Sequence, residues 1–264
     1  MSPLALAKPT APGQGPEDDV HLSLRDHLVE LRKRLKWAIL WLGIGFCAAY
    51  YWSQQIFHWL MKPVLAALPD GEKALHYSSS IEPFMIYLKV ALYAGLFIAC
   101  PAILWQLWAF IAPGLYRKEK RAIMPFVLVA TGFFVAGGLF CYFVILPPAF
   151  QFLIQSAGPD DIKPVLMMDE QLGLVMMLII AFGIIFELPL ILTFLTMIGV
   201  VDHHFLGKYR RHAIVLNTII AAIVTPTGDP FNLALMAVPM MLCYELGVLG
   251  SYLFRKKAPA RLTA

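Results

Sequence analysis

Long stretches without a single charged side chain constrain this chain more than anything else in it. Residues 90–116 and 122–159 carry no Asp, Glu, Lys or Arg, residues 171–201 carry only Glu187, and residues 231–254 carry only Glu245. A helix needs about 20 mostly apolar residues to cross about 30 Å of hydrocarbon, and each of these stretches supplies them. Another uncharged run, residues 37–61, opens with a span over 37–52. Residues 213–226 give a further span, only about 21 Å long as a helix. Water is not the main solvent of such a chain: 14% of its residues are charged, against about 25% in soluble domains. The pattern predicts an all-α integral membrane protein with six transmembrane helices and no internal repeat.

Lys and Arg near the span ends set the orientation. One side collects Arg25, Arg32, Lys33, Arg34 and Lys36 before the first span, and Arg117, Lys118, Lys120 and Arg121 between the second and third. The same side holds Lys208, Arg210 and Arg211 between the fourth and fifth, and Arg255, Lys256, Lys257 and Arg261 after the sixth. The opposite loops hold Lys62, Lys73 and Lys163 beside Asp70, Glu72, Glu82, Asp160, Asp161, Asp169, Glu170 and Asp229. This asymmetry puts both termini inside and requires an even number of spans. It also accounts for the net charge of +4 without nucleic acid, because the cations sit at span ends rather than along one soluble face.

Residues 1–20 lack an apolar run long enough for a cleavable signal and are expected to form a disordered cytoplasmic tail. Residues 21–255 then form the membrane domain and residues 256–264 a basic cytoplasmic tail. Before the first span, Leu24, Leu28, Leu31 and Leu35 share one helical face, as an interfacial lead-in would. The outer connection over residues 53–87, with Pro63, Pro69 and Pro83, is expected as a long loop folded over the outer surface.

Enzymatic signatures are absent: there is no HExxH, GxSxG, P-loop or GxGxxG. The seven histidines lie outside the centres of the spans, and Cys47, Cys100, Cys141 and Cys243 fall in apolar stretches without a CxxC pair. Neither a metal site, a haem, another cofactor nor a disulfide framework is indicated. Five carboxylates remain. Glu187, in Phe186-Glu187-Leu188-Pro189, lies inside a span, where an acid is costly and marks a functional candidate. The plainer alternative is a neutral side chain hydrogen-bonded to a neighbouring helix. Pro189 cannot donate the helical hydrogen bond and loosens the turn. Glu245, nearer the inner face, is a similar case or else snorkels. Glu30 has the i,i+4 spacing of an ion pair with Arg34, Glu119 reads as a solvated loop charge, and Asp229 as a turn residue. Glu187 beside Pro189 also fits a secondary transporter of a small solute, but that fold has paired broken helices in two related halves, and no such pairing is visible.

Four motifs in register resemble those of the TatC family, the Sec-independent twin-arginine protein translocase subunit. They are His27-Leu28-Val29-Glu30-Leu31-Arg32, Trp108-Ala109-Phe110-Ile111-Ala112-Pro113-Gly114-Leu115-Tyr116 leading into Glu119-Lys120-Arg121, Phe186-Glu187-Leu188-Pro189, and Thr225-Pro226 with Asp229. Thr225-Pro226-Thr227-Gly228-Asp229 is one residue longer than the family's Thr-Pro-Pro-Asp. The resemblance covers about residues 20 to 255. It implies a curved, glove-like array of six helices, the last two short, in the bacterial inner membrane, and a receptor rather than an enzyme. Such proteins bind the twin-arginine signal peptides of folded cargo at the cytoplasmic face. They act with TatA and TatB partners in a self-associating, lipid-embedded receptor complex that depends on the proton-motive force. By the same resemblance Glu30 and Glu119 bind the arginine pair, with Arg32 and Phe110 supporting that surface. Glu187 and Glu245 are polar sites for partner helices, and Pro63, Phe84 and Asp229 belong to a periplasmic cap.

Overall fold

In lipid a single segment satisfies its own backbone N–H and C=O groups only as a helix, and helices dominate the computed structural model, which describes residues 24–69, 74–111, 123–156, 165–225 and 228–253. In chain order they are α1 (Leu24–Tyr50), α2 (Ser53–Ala67), α3 (Glu82–Ile111), α4 (Ile123–Phe140), α5 (Leu146–Gln155), α6 (Met168–Phe186), α7 (Leu188–Met197), α8 (His203–Lys208), α9 (Arg210–Val224) and α10 (Pro230–Leu253). Glu119 and the expected tails at 1–20 and 256–264 lie outside the described residues.

Among the described residues four helical units are long and apolar enough to cross a membrane: α3, α4 with α5, α6 with α7, and α10. The first turns of α1 are too charged to count by composition, and α9 has only 15 residues, about 22 Å. α9 is thus as short as the sequence suggests, whereas α10, with 24 residues, has full spanning length.

Proline explains why two units are broken rather than straight. Pro147 and Pro148 have no N–H for the carbonyls four residues back, and a π-helical turn, Cys141–Ile145, sits where those carbonyls fall. Pro189 withdraws the donor for Ile185, and α6 gives way to α7 at Glu187. α7 then stops at a left-handed turn, Gly199 with φ 81°, the conformation glycine adopts without a Cβ penalty.

The core is built around α6, whose Leu172, Val175, Met176, Leu178, Ile179 and Phe182 are buried against α2, α3, the α4–α5 unit, α9 and α10. The segment after Ser53, expected as loop, is in its first part a core helix. Phe57, Leu60, Met61 and Val64 recur at i, i+3, i+4 and i+7 on α2 and are all buried, the periodicity of a packed helix face. Past α2, His76 pairs with the chain before α6: its N–H donates to the Leu166 carbonyl at 2.9 Å and its carbonyl accepts from Met168 N–H at 2.8 Å. Lys89 on α3 forms an ion pair with Asp169 on α6, adding a fourth lysine to the acid-rich end of the bundle. The Glu82 carboxylate accepts from the backbone N–H and hydroxyl of Ser78, both at 2.7 Å, which ties down the start of α3.

α1 packs chiefly on α3, and glycine decides how closely. A Cβ on Gly45 would collide with the Gly95 carbonyl oxygen, and one on Gly95 would sit 2.6 Å from the Phe46 nitrogen. These obstacles are backbone and cannot rotate away. Gly95→Ala is therefore expected to push α1 off α3 and to lower thermal stability in detergent by the roughly 1–3 kcal/mol of an overpacked contact. Gly43→Ala, on α1 with nothing within 4 Å, should leave the melting temperature nearly unchanged. Equal effects of the two changes would contradict the close crossing.

Candidate functional site

Below the glycine crossing, the charged end of α1 meets the last turns of α3. His27, Glu30 and Arg34 fall on the i, i+3 and i+7 positions that share a helix face. The His27 ring stacks on Phe110, centroids 4.3 Å apart. The Arg34 guanidinium donates through Nη2 to Glu30 Oε1 at 3.2 Å and through Nη1 to Gln106 Oε1 at 3.3 Å. One arginine thus joins the two helices, and a half-buried carboxylate stands at their seam. The i,i+4 ion pair read from the spacing is present. Arg32 is exposed, about 200° around the helix from Glu30, so the structure groups Glu30 with Phe110 but not with Arg32. Gln106 escaped the sequence reading because an amide inside an apolar run carries no charge signal.

The second candidate is the break between α6 and α7. Glu187 is 92% buried, as its relative exposure of 8% shows, and its Oε1 has no hydrogen-bond partner among the described residues. The alternative, a neutral acid hydrogen-bonded to a neighbouring helix, gets no support from that oxygen. The helix flanking the break is closely packed: at Gly247 of α10 a Cβ would meet Pro189 and Leu192 of α7.

Glu245 differs from Glu187. It is half-exposed and ion-paired with Arg210 across α9 and α10, at 3.0 Å. Spacing gives no hint of that partner, since the two residues are 35 positions apart and belong to separate helices. At the opposite end of the bundle the three expected cap residues have separate roles. Pro63 is buried in α2, and Phe84 is exposed on the first turn of α3. Asp229 caps α10, accepting from Asn232 N–H at 2.7 Å and Asn232 Nδ2 at 2.9 Å. With Pro230 as the first helical residue, this is a standard helix start, so Asp229 is more than a turn residue.

A buried carboxyl oxygen without a partner is destabilising. Glu187→Leu is accordingly expected to melt no lower than the unmodified chain in detergent. A clear drop would mean that Glu187 is held by an interaction essential to the α6–α7 junction.

Comparison with known proteins gives this geometry a context. The family described as Sec-independent protein translocase protein (TatC) matches residues 26–239. A Sec-independent protein translocase protein TatC from Magnetococcus marinus is 42% identical over 236 residues, covering 89% of this chain and 86% of that protein. The one from Desulforapulum autotrophicum is 40% identical over 232 residues, 88% and 85% of the two chains, and that from Aquifex aeolicus 39% identical over 238 residues, 89% and 98%. A crystal structure of a twin-arginine translocase receptor, TatC, superimposes with a TM-score of 0.75 at 38% identity, covering 86% of this chain and 99% of the other.

Proposed function

The chain belongs to the TatC family, and on that premise we propose that it is the receptor core of a twin-arginine translocase in the bacterial inner membrane. It binds the twin-arginine signal peptides of folded proteins at the cytoplasmic face and exports their cargo with TatA and TatB partners, driven by the proton-motive force. The role is one of transport, not catalysis. In this reading the chain crosses the membrane six times as a curved array with both termini in the cytoplasm. α1 and α9 add to the four units of full spanning length, as the even count demanded by the Lys and Arg distribution requires.

The observation that carries the reading is the carboxylate of Glu30 at the α1–α3 seam, beside the His27–Phe110 stack. Guanidinium groups bind carboxylates bidentately and stay charged at any cellular pH, so a cytoplasmic acid at a rigid helix pair suits a ligand carrying two arginines. Arg34 does not block this role. It engages one carboxylate oxygen, and an ionised carboxylate offers about four acceptor positions. Glu119 is proposed as the second acid, Arg32 as a supporting residue at the rim, and Glu187 as the polar point met by a partner helix within the membrane. Pro63 and Phe84 are assigned to the periplasmic cap, with Asp229 fixing the start of its last helix.

The test is the affinity of the purified protein for a twin-arginine signal peptide against its twin-lysine counterpart. Exposed ion pairs contribute about 0.2–1 kcal/mol each, so Glu30→Gln or Glu119→Gln alone should weaken binding a few-fold. Glu30→Ala with Glu119→Ala should remove the preference for arginine, and raised salt should weaken wild-type binding. Undiminished preference in the double variant would show that these acids are not the recognition site.

A further inference from the structure

The role proposed for Glu187 meets a geometric obstacle: a partner helix cannot touch an acid whose relative exposure is 8% and whose Oε1 is shut inside its own chain. Part of the structure has to move first, and the break at Pro189 marks where. With no donor for the Ile185 carbonyl the helix is loosened there, and regular bonding resumes when Ile191 N–H donates to the Glu187 carbonyl at 2.9 Å. Beyond the break α7 is held from two sides. Against α10 it is locked by glycines: a Cβ on Gly247 would meet the Pro189 backbone, and one on Gly250 would collide with the Thr193 hydroxyl, so α7 and α10 travel together. Against α3 and α4 it is held by rings. Trp108 of α3 is buried and meets Phe126 of α4 edge-on at 4.2 Å and Phe194 of α7 edge-on at 4.5 Å between centroids. Phe126 and Phe194 lie 5.3 Å apart.

We propose that Trp108, Phe126 and Phe194 form a clasp that keeps Glu187 enclosed, and that its release from the α1–α3 seam lets α7 turn at Pro189 and opens the acid to a partner helix. The inference rests on the roles proposed for Glu187 and for the seam. Trp108 and Phe194 are positioning residues, acting on Glu187 through α7. Two features select this cluster as the contact that gives way. The grip of α10 on α7 is close to backbone and parts only as a whole, whereas three rings in edge-to-face and tilted contact separate by rotating their side chains. Trp108 also stands about 200° around α3 from both Gln106 and Phe110. One short end of α3 thus carries the Arg34 bridge and the His27 stack on one face and the clasp on the other. A ligand that shifts this end of α3 at the seam disturbs the clasp. Phe194 lies two turns, about 10 Å, along from Glu187, so movement at the clasp is carried by one short helix to the break.

The probe is dicyclohexylcarbodiimide, an apolar reagent that enters the bilayer and adds to protonated carboxyl groups. The full-length chain in nanodiscs is treated with it, and the proteolytic fragment holding Glu187 is followed by mass spectrometry, with Glu187→Gln as the blank. The unmodified chain should react slowly. Trp108→Ala should speed the reaction by about fivefold or more, the least that losing two aromatic pairs implies, and Trp108→Phe, which keeps a ring, should restore most of the protection. Phe194→Leu keeps apolar volume but loses both ring contacts. It should act like Trp108→Ala and carries the test if that variant folds poorly. Phe150→Leu, in the core on α5, should lower the melting temperature without speeding the reaction, which separates release of the clasp from general loosening. Bound twin-arginine peptide should speed the reaction in the unmodified chain. Unchanged reactivity in both Trp108→Ala and Phe194→Leu overturns the proposal, as does a rate that simply follows melting temperature across the variants, or a bound peptide that leaves the rate unchanged. Failure of the peptide to bind at all counts against the receptor reading instead, because the Trp108 and Phe194 variants decide the clasp without it.

Discussion

Where α1 crosses α3, Gly45 and Gly95 let two backbones touch with no side chain between them, and the arrangement of the proposed receptor surface depends on that contact. Lipid offers no hydrophobic drive to bring helices together, since the tails are as apolar as the side chains. What remains is van der Waals contact over close surfaces and a few polar links. α1 has little else to hold it, because its packing is almost wholly against α3 and most of its side chains are exposed. The glycine crossing sets the separation of the helices, and the Arg34 bridge to Gln106 and the His27–Phe110 stack set their rotation and register. Glu30 is positioned as a consequence.

The rest of the bundle follows a different rule. Around α6 the helices interlock through large buried side chains such as Phe182, Leu172 and Met240, and this core tolerates two proline-induced interruptions because neighbouring helices enclose them. One interruption, at Pro189, leaves a carboxyl group inside the bundle with an oxygen that has no partner among the described residues. A stable scaffold and a costly polar site thus share one helix. That combination suits a protein whose membrane-embedded surface is met by other helices, and it is legible in neither the core nor the acid alone.

Much of this could be read from the sequence, for identifiable reasons. Uncharged runs located the spanning units because lipid excludes charge so strongly that composition suffices. The break at Pro189 and the Glu30–Arg34 pair were legible because both are local, fixed by spacing along one helix. What escaped was tertiary or masked by its surroundings. Arg210 and Glu245 meet only because α9 and α10 turn back on one another, and Lys89 finds Asp169 from a different span. Gln106 lies in an apolar run whose hydropathy hides a single amide. α2 reads as loop from Pro63, Pro69 and Pro83 along the connection, although Phe57, Leu60, Met61 and Val64 carry helical periodicity. The α1–α3 crossing escaped too, because a glycine in a span signals close approach only when its partner is known.

On the proposed function, the Gly45–Gly95 contact holds Glu30 and Phe110 at one seam and thereby builds the surface offered to a signal peptide. This is tested most directly by the distance between spin labels at Lys33 on α1 and Leu107 on α3, both exposed, measured by pulsed electron resonance in nanodiscs alongside twin-arginine peptide affinity. In the otherwise unmodified chain a narrow distribution is expected. With Gly95→Val the distribution should broaden and shift outward while affinity falls with it. A distribution that broadens with affinity intact, or affinity lost with the distances unchanged, would contradict the account.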